Sequence, residues 1–441
     1  MKVIIIGAVA AGTSAAAQIM RNDKEADVVI YEKDRDISYS ACGFPYHIGG
    51  KVGFSDVVPR TPASFSEKYG VQVHSGHEVT KIDPAAKKVF GQTDEGNAFE
   101  DDYDELIMAT GAQSMLPDLP GSDDARVFTL RTAEDTRAIM EYMEEKQPQN
   151  AVIVGTGFIG LEVLENLLER KIHVTVLNRS DKITPHLDAD MAKHLEDLLR
   201  TRGVDLRKNT EIKAITKTAA DTGEEQIPAD LILFATGVRP NTKIAEEAGV
   251  ALGDTGGIVV DDALRTNVEH IYACGDCAQL WSQLDKEPMY VPLGTSANKT
   301  GKIAGDVLTG GSMRFQGILG TSIFRLFDLT IGATGYTEKK AKDLGYDTEI
   351  ICQKSLHRAG YFSGEPMEIK AVVDKKSRTL LGVQLIGTKG VDKRLDVLVT
   401  AIKNKMDGDA LYNLDLSYAP PYNAVHDPVH YIGLKMRGLS S

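Results

Sequence analysis

The chain opens with an apolar run, Val3 to Ile6, which turns at Gly7 into small and apolar residues extending to about Met20. A second apolar run, Val28 to Tyr31, ends in Glu32. Runs this short and unbroken predict strands buried on both faces, and the stretch between them predicts a helix. The pattern returns at mid-chain. Ala151 to Val154 predicts a strand, a glycine-rich turn follows, a helix runs through Leu168, and Val174 to Leu177 predicts the next strand. Two such units of about thirty residues predict an α/β fold with parallel sheets. Lys2 followed by an apolar stretch imitates a secretory leader, but a strand turning through Gly7 into a helix accounts for the same residues. No run reaches the ~18 apolar residues of a membrane span.

The turns carry the first chemistry. Gly155-Thr156-Gly157-Phe158-Ile159-Gly160 is a full G-x-G-x-x-G between strand and helix. Its glycines allow a tight turn and close approach of backbone to a pyrophosphate, which the helix N-terminus favours. The first unit reads Gly7-Ala8-Val9-Ala10-Ala11-Gly12, with Val9 where the middle glycine would stand. One such motif is weak; two, each correctly placed, imply two dinucleotides and electron transfer between a nicotinamide and a flavin. The strand ends separate them. Glu32, followed by Lys33, can accept from a ribose 2′-hydroxyl and would repel a 2′-phosphate, which suits FAD or NAD. The second unit has Asn178 and Arg179 there, and an arginine can pair with a 2′-phosphate, favouring NADPH over NADH.

Composition narrows the class. The 441 residues carry 50 basic and 63 acidic side chains, a formal charge of −13, and 42% are hydrophobic. That length predicts two or three domains, and the acidic balance argues against nucleic acid as a partner. Four cysteines form no disulfide framework, so a cytoplasmic enzyme is expected.

With both glycine loops in place, the sequence resembles the FAD-dependent pyridine nucleotide–disulfide reductases along essentially its whole length. Met108-Ala109-Thr110-Gly111-Ala112 and Phe234-Ala235-Thr236-Gly237-Val238 are similar to that family's two crossover strands, and Ile271-Tyr272-Ala273-Cys274-Gly275-Asp276 to its second flavin motif. The resemblance implies two Rossmann-like dinucleotide-binding domains, for FAD and NAD(P), plus an α+β C-terminal dimerisation domain. The implied division is 1–113 with 238–317 for FAD, 114–237 for NAD(P)H, and 318–441 for a homodimer interface. It further implies that Gly7, Ala10, Ala11, Gly12, Glu32, Lys33, Val79, Thr110, Gly111, Gly237, Asp276 and Ala297 hold the cofactors. Gly155, Gly157, Phe158, Gly160, Glu162, Asn178 and Arg179 would do so on the nicotinamide side.

The cysteines choose the branch. Cys274 and Cys277 form a C-x-x-C within and just after the flavin motif, with no second pair to complete a metal site. Cys352 follows an alternating strand and reads as packing. Cys42 stands in Ser38-Tyr39-Ser40-Ala41-Cys42-Gly43-Phe44-Pro45-Tyr46, and His47 occupies the position where the two-cysteine branch carries its partner. A lone cysteine beside a flavin must cycle through a sulfenic acid or through a mixed disulfide with a small thiol. This is similar to the single-cysteine branch of coenzyme A-disulfide reductases, NADH oxidases and peroxidases, and persulfide reductases.

Three comparisons with that branch weigh the acceptor. Ala10 replaces the histidine usual in the oxidase and peroxidase members, which weakens the peroxide and oxygen readings. Tyr361 and Tyr418 match tyrosines that, in the coenzyme A-disulfide reductases, reach from the partner subunit and donate a proton to the leaving thiolate. Ser14, Gln18, Arg21 and Ser38 match positions contacting coenzyme A. Against this, Ala41 replaces an asparagine, Asn298 and His426 replace two other contacts, and the net charge disfavours a polyanion. The rhodanese domain often appended to persulfide reductases is expected to be absent, because the sequence stops at Ser441. The reading is an FAD-dependent NAD(P)H reductase acting through Cys42 on a small disulfide, with coenzyme A disulfide or its persulfide foremost. An oxidase or peroxidase, or an electron donor to a redox protein, stays open.

Overall fold

The computed structural model describes residues 1–438. Strand Lys2–Ile6 lies at the centre of a five-stranded parallel sheet, between Asp27–Glu32 and Glu105–Met108. Gln72–Ser75 and Ile271–Ala273 form its edges, so one sheet collects strands from two distant parts of the chain. Helix Ala10–Asn22 covers one face and is packed by helix Gly294–Leu308. The approach is close because Gly301 and Gly305 have no side chain. A Cβ on either would come within 2.2 Å and 2.6 Å of the Ala11 and Ala15 carbonyl oxygens.

The second sheet repeats the first. Asn150–Val154 lies between His173–Asn178 and Leu231–Phe234, all parallel, with Asp205–Lys208 and Val127–Phe128 at the edges. The chain leaves the first unit at Ala112–Ser114 and returns at Val238–Pro240, and these two short strands pair antiparallel. Asn241 seals the crossing by accepting from the Thr110 hydroxyl through its carbonyl at 2.6 Å and donating its side-chain amide to the Thr110 carbonyl at 2.9 Å.

The remaining chain builds an antiparallel five-stranded sheet in the order Ser322–Leu326, Leu329–Gly335, Leu380–Gly387, Pro366–Asp374, Thr348–Leu356. Every residue of Leu380–Gly387 is buried, and helix Val391–Lys403 packs Leu395 against Gly332 on one face. Lys370, whose side chain is 3% exposed, joins this sheet to the second unit through Asp188 and Asp190 and also pairs with Glu338. Cys352 corrects the sequence expectation. It lies on the edge strand Thr348–Leu356, where Ile351 takes the buried face and alternation turns Cys352 outward, so it is exposed rather than packing. Among the described residues no helix is long and apolar enough to cross a membrane.

Candidate active site

The two glycine loops have nearly the same geometry. Gly7 and Gly155 adopt φ of 106° and 109°, the left-handed side that favours glycine. A Cβ there would come within 2.2 Å of the Ala109 carbonyl and 2.4 Å of the Ala235 carbonyl. The last glycines, Gly12 and Gly160, let each helix cross its own turn, since a Cβ would meet the Gly7 or Gly155 carbonyl oxygen at 1.9 Å or 2.3 Å. Gly157 differs: its φ is ordinary, and nothing lies within 4 Å of where its Cβ would stand. Gly111 and Gly237 border similar open space. Gly157 thus leaves bare backbone at the N-terminus of helix Phe158–Glu169, which fits a pyrophosphate, whereas Val9 caps helix Ala10–Asn22 in the first unit.

Glu32 is buried at its strand end. One carboxylate oxygen accepts from the Ala8 N–H at 2.6 Å and the other from the Asp34 N–H at 3.0 Å, tying the first loop to the strand. Burial raises its pKa. Lys33 beside it is exposed, and Val79 is buried on strand His77–Asp83. Gly275 sits between Ala11 and Ala297, 2.7 Å and 3.8 Å from their β-carbons had it one of its own, and so brings Ala10–Ala11, Asp276 and Ala297 to one place.

On the second unit, Asn178 is consumed locally. Its amide oxygen accepts from the Thr156 hydroxyl at 2.9 Å, and its nitrogen donates to the Ser180 and Lys182 carbonyls. It ties the strand end to the glycine loop, while Arg179 is exposed beside it. Phe158 stacks on His186 with centroids 4.8 Å apart.

Cys42 is exposed on the short turn Ala41–Gly43, which leads into helix Phe44–Ile48. Phe44 and Ile48 are buried in the core of the second unit together with Leu161 and Leu164, so the cysteine turn is docked onto that unit. The Tyr46 hydroxyl donates to Glu162 at 3.1 Å, Gly49 abuts Asn166, and Lys51 pairs with Glu165 at 3.2 Å. All three partners lie on helix Phe158–Glu169. Glu162 thus accepts from Tyr46, four residues after Cys42, and burial pushes its pKa up to about 7 despite that hydrogen bond.

The surroundings raise the Cys42 thiol pKa: desolvation does so first, then the Glu162 and Asp276 charges, while Arg131 lowers it. Arg131 was not singled out from sequence. It forms an ion pair with Asp276 at 2.5 Å, and Tyr290 donates to the Asp276 carbonyl at 3.0 Å. A lone arginine ahead of the Thr132–Asp135 capping box gives no local pattern, because its partner lies 145 residues away.

Ser14, Gln18 and Arg21 share one face of helix Ala10–Asn22, and Arg21 donates to Gln18 at 3.3 Å. Asn298 donates to the Ser14 hydroxyl at 2.7 Å. Ser38 takes φ of 51° and donates its N–H to the Ala8 carbonyl. Tyr361 and Tyr418 stand on the third domain, 76% and 50% exposed, and Tyr418 contributes to raising the Tyr361 hydroxyl pKa after desolvation. Among the described residues no hydrogen bond links them to the Cys42 turn of the same chain. Cys274 and Cys277 are buried free thiols, and no cluster of the described residues would hold a metal.

Comparison with known proteins agrees with this geometry. Residues 1–297 match the pyridine nucleotide-disulphide oxidoreductase family and residues 321–428 its dimerisation domain. A coenzyme A disulfide reductase of Staphylococcus haemolyticus is 38% identical, covering 99% of this chain and 100% of its own. The NAD-dependent persulfide reductase of A. fulgidus superposes with a TM-score of 0.96 at 37% identity, over 99% of this chain and 84% of its own. An engineered NADPH-bound form of the water-forming oxidase of Lactobacillus brevis superposes with a TM-score of 0.95 at 28% identity, over 99% and 98%. The two family matches and the full-length likeness at 38% identity place the chain in the pyridine nucleotide-disulphide oxidoreductase family, as an FAD-dependent NAD(P)H disulfide oxidoreductase.

Proposed function

We propose that the chain reduces a low-molecular-weight disulfide, coenzyme A disulfide first, at the expense of NADPH. The carrying observation is the isolation of Cys42. It is exposed on a turn packed against the nicotinamide unit, Cys274 and Cys277 are buried, and Cys352 lies out on the third domain. A thiol so placed has no resolving partner near it in the chain, so its partner is a small thiol. The curated relative that acts on coenzyme A disulfide supports this choice. A persulfide of the same thiol is the second reading, supported by the persulfide reductase likeness.

The cofactor roles follow the geometry. FAD would lie on Gly7–Gly12, with Glu32 at its ribose, Asp276 and Arg131 at its polar chain, and Ala297, Thr110 and Gly111 around it. NADPH would lie on Gly155–Gly160, with Arg179 at the 2′-phosphate and Phe158 and Glu162 near the nicotinamide. In the engineered NADPH oxidase three consecutive residues were changed, aspartate to alanine, alanine to arginine, methionine to serine. Asn178-Arg179-Ser180 has the same character: no acid, then arginine, then serine. The domain division at 113/114, 237/238 and 317/318 is proposed on the paired crossing strands and the start of the antiparallel sheet.

In the reaction, the bound flavin supplies two-electron transfer between nicotinamide and sulfur. The Cys42 thiolate attacks one sulfur of the disulfide, forming a mixed disulfide and expelling one thiolate. Tyr418 or Tyr361, reaching from a second subunit of a homodimer, would protonate it. Two electrons then cleave the mixed disulfide, releasing the second thiol and restoring the Cys42 thiolate. Ser14, Gln18, Arg21 and Ser38 would line the approach, Arg21 facing a phosphate.

Cys42→Ser tests the reading. Anaerobic mixing with NADPH should still bleach the flavin at close to the wild-type rate, while disulfide turnover disappears. Undiminished disulfide turnover would overturn the mechanism. Intact mass of the purified protein should show a coenzyme A adduct on Cys42.

A further inference from the structure

Arg394 is 1% exposed and lies in the first turn of helix Val391–Lys403, yet it carries a full charge into the third domain. All three of its guanidinium nitrogens donate, in different directions. Nη2 donates to the His357 carbonyl at 2.8 Å and to Asn423 Oδ1 at 2.9 Å. Nε donates to Asp427 at 3.1 Å, and Nη1 to the Gly390 carbonyl at 3.2 Å. His357 precedes Tyr361 by four residues, and Asn423 follows Tyr418 by five. Asn423 in turn donates to the Ser417 carbonyl at 3.3 Å, next to Tyr418. A second clasp joins the same loops, from Arg358 to the Pro421 carbonyl at 3.2 Å.

The two tyrosines are largely exposed and lie against each other, so where the pair of hydroxyls stands depends on the backbone of the loops that carry them. Those loops are distant in sequence and make no shared strand. A planar guanidinium with five fixed donors can serve both at once, and a buried charge tolerates little departure from full hydrogen bonding. We propose that Arg394 is a positioning residue for disulfide reduction, one buried guanidinium that registers the Tyr361 loop against the Tyr418 loop. The proposal rests on the reading that these tyrosines assist the departing thiolate.

The test is a mutant cycle in the full-length, FAD-loaded enzyme. Arg394→Lys keeps the charge facing Asp427 but replaces the fork by a point donor, and Asn423→Ala removes one strand of the bridge alone. Each should lower kcat for disulfide reduction about ten-fold, the scale of a small misplacement of an acid group, and flatten the alkaline limb of the pH profile. Flavin reduction by NADPH should stay within about two-fold of wild type, because that half-reaction does not use the tyrosines. In a Tyr361→Phe/Tyr418→Phe background either change should cost less than about two-fold more. An undiminished ten-fold loss there would overturn the proposal, as would equal losses in flavin reduction. Wild-type turnover by the Tyr361→Phe/Tyr418→Phe enzyme would instead overturn the tyrosine reading itself. Should Arg394→Lys not fold, Asn423→Ala decides by the same criteria.

Discussion

The Tyr46 hydroxyl donates to Glu162 across the join between the two dinucleotide units, at 3.1 Å. It ties the segment after the cysteine turn to helix Phe158–Glu169. Glu162 has a pKa near 7 in the folded protein against an ordinary 4.5, raised by burial. Its burial costs nothing below pH about 4.5, where it is protonated in both states, destabilises progressively as pH rises to about 7, and levels off above that. Glu162→Gln should therefore gain stability over wild type on going from pH 5 to pH 8, on the order of 1–3 kcal/mol, in urea melts. Tyr46→Phe removes the hydrogen bond that favours the carboxylate, and should move the upper end of that window above 7.

The Glu162 charge also raises the Cys42 thiol, after desolvation. Glu162→Gln should lower the thiol pKa, seen as faster iodoacetamide alkylation at pH 7.5. An unchanged alkylation profile would show that the carboxylate does not reach the sulfur.

Arg131 and Asp276 form a charge-assisted pair at the second flavin motif. Arg131→Met leaves Asp276 without its cation and should weaken FAD retention about ten- to a hundred-fold, measured as flavin released on dialysis. Because Arg131 lowers the Cys42 pKa, the same variant should slow alkylation.

Gly157 and Gly160 separate binding from folding. A Cβ at Gly160 would strike the Gly155 carbonyl at 2.3 Å, so Gly160→Ala should lose about 1–3 kcal/mol of stability. Gly157→Ala meets open space and should melt as wild type while raising the KM for NADPH. Normal NADPH kinetics in that variant would place the dinucleotide elsewhere.

Arg179 tests cofactor choice. Arg179→Ala should raise the KM for NADPH about ten-fold and leave NADH kinetics unchanged. Equal effects on both would remove the 2′-phosphate contact.

Local patterns carry local structure, and this explains which residues were readable. Gly7, Gly12, Gly155 and Gly160 lie in motifs whose strand, turn and helix are contiguous, so their backbone demands appear in the order of the residues. Cys42 was readable by subtraction, since the other cysteines fall in recognisable places. Cys352 misled because alternation shows that a strand has two faces without saying which one is covered; the edge position decides. Asn178 was readable as a non-acidic strand end, but its amide is turned inward to Thr156, Ser180 and Lys182.

The sequence by itself determined two dinucleotide units and set Cys42 apart from the other cysteines, because these rest on short-range spacing; the insertion of the second unit within the first was implied by the family resemblance. Only the tertiary structure decided what surrounds that cysteine. Tyr46 meets Glu162 from 116 residues away, Arg131 meets Asp276 from 145, and Arg394 gathers two loops. Such pairs form because sheets and helices bring distant side chains into low-dielectric contact, where charge and hydrogen bonding must be satisfied, and no spacing along the chain records that contact.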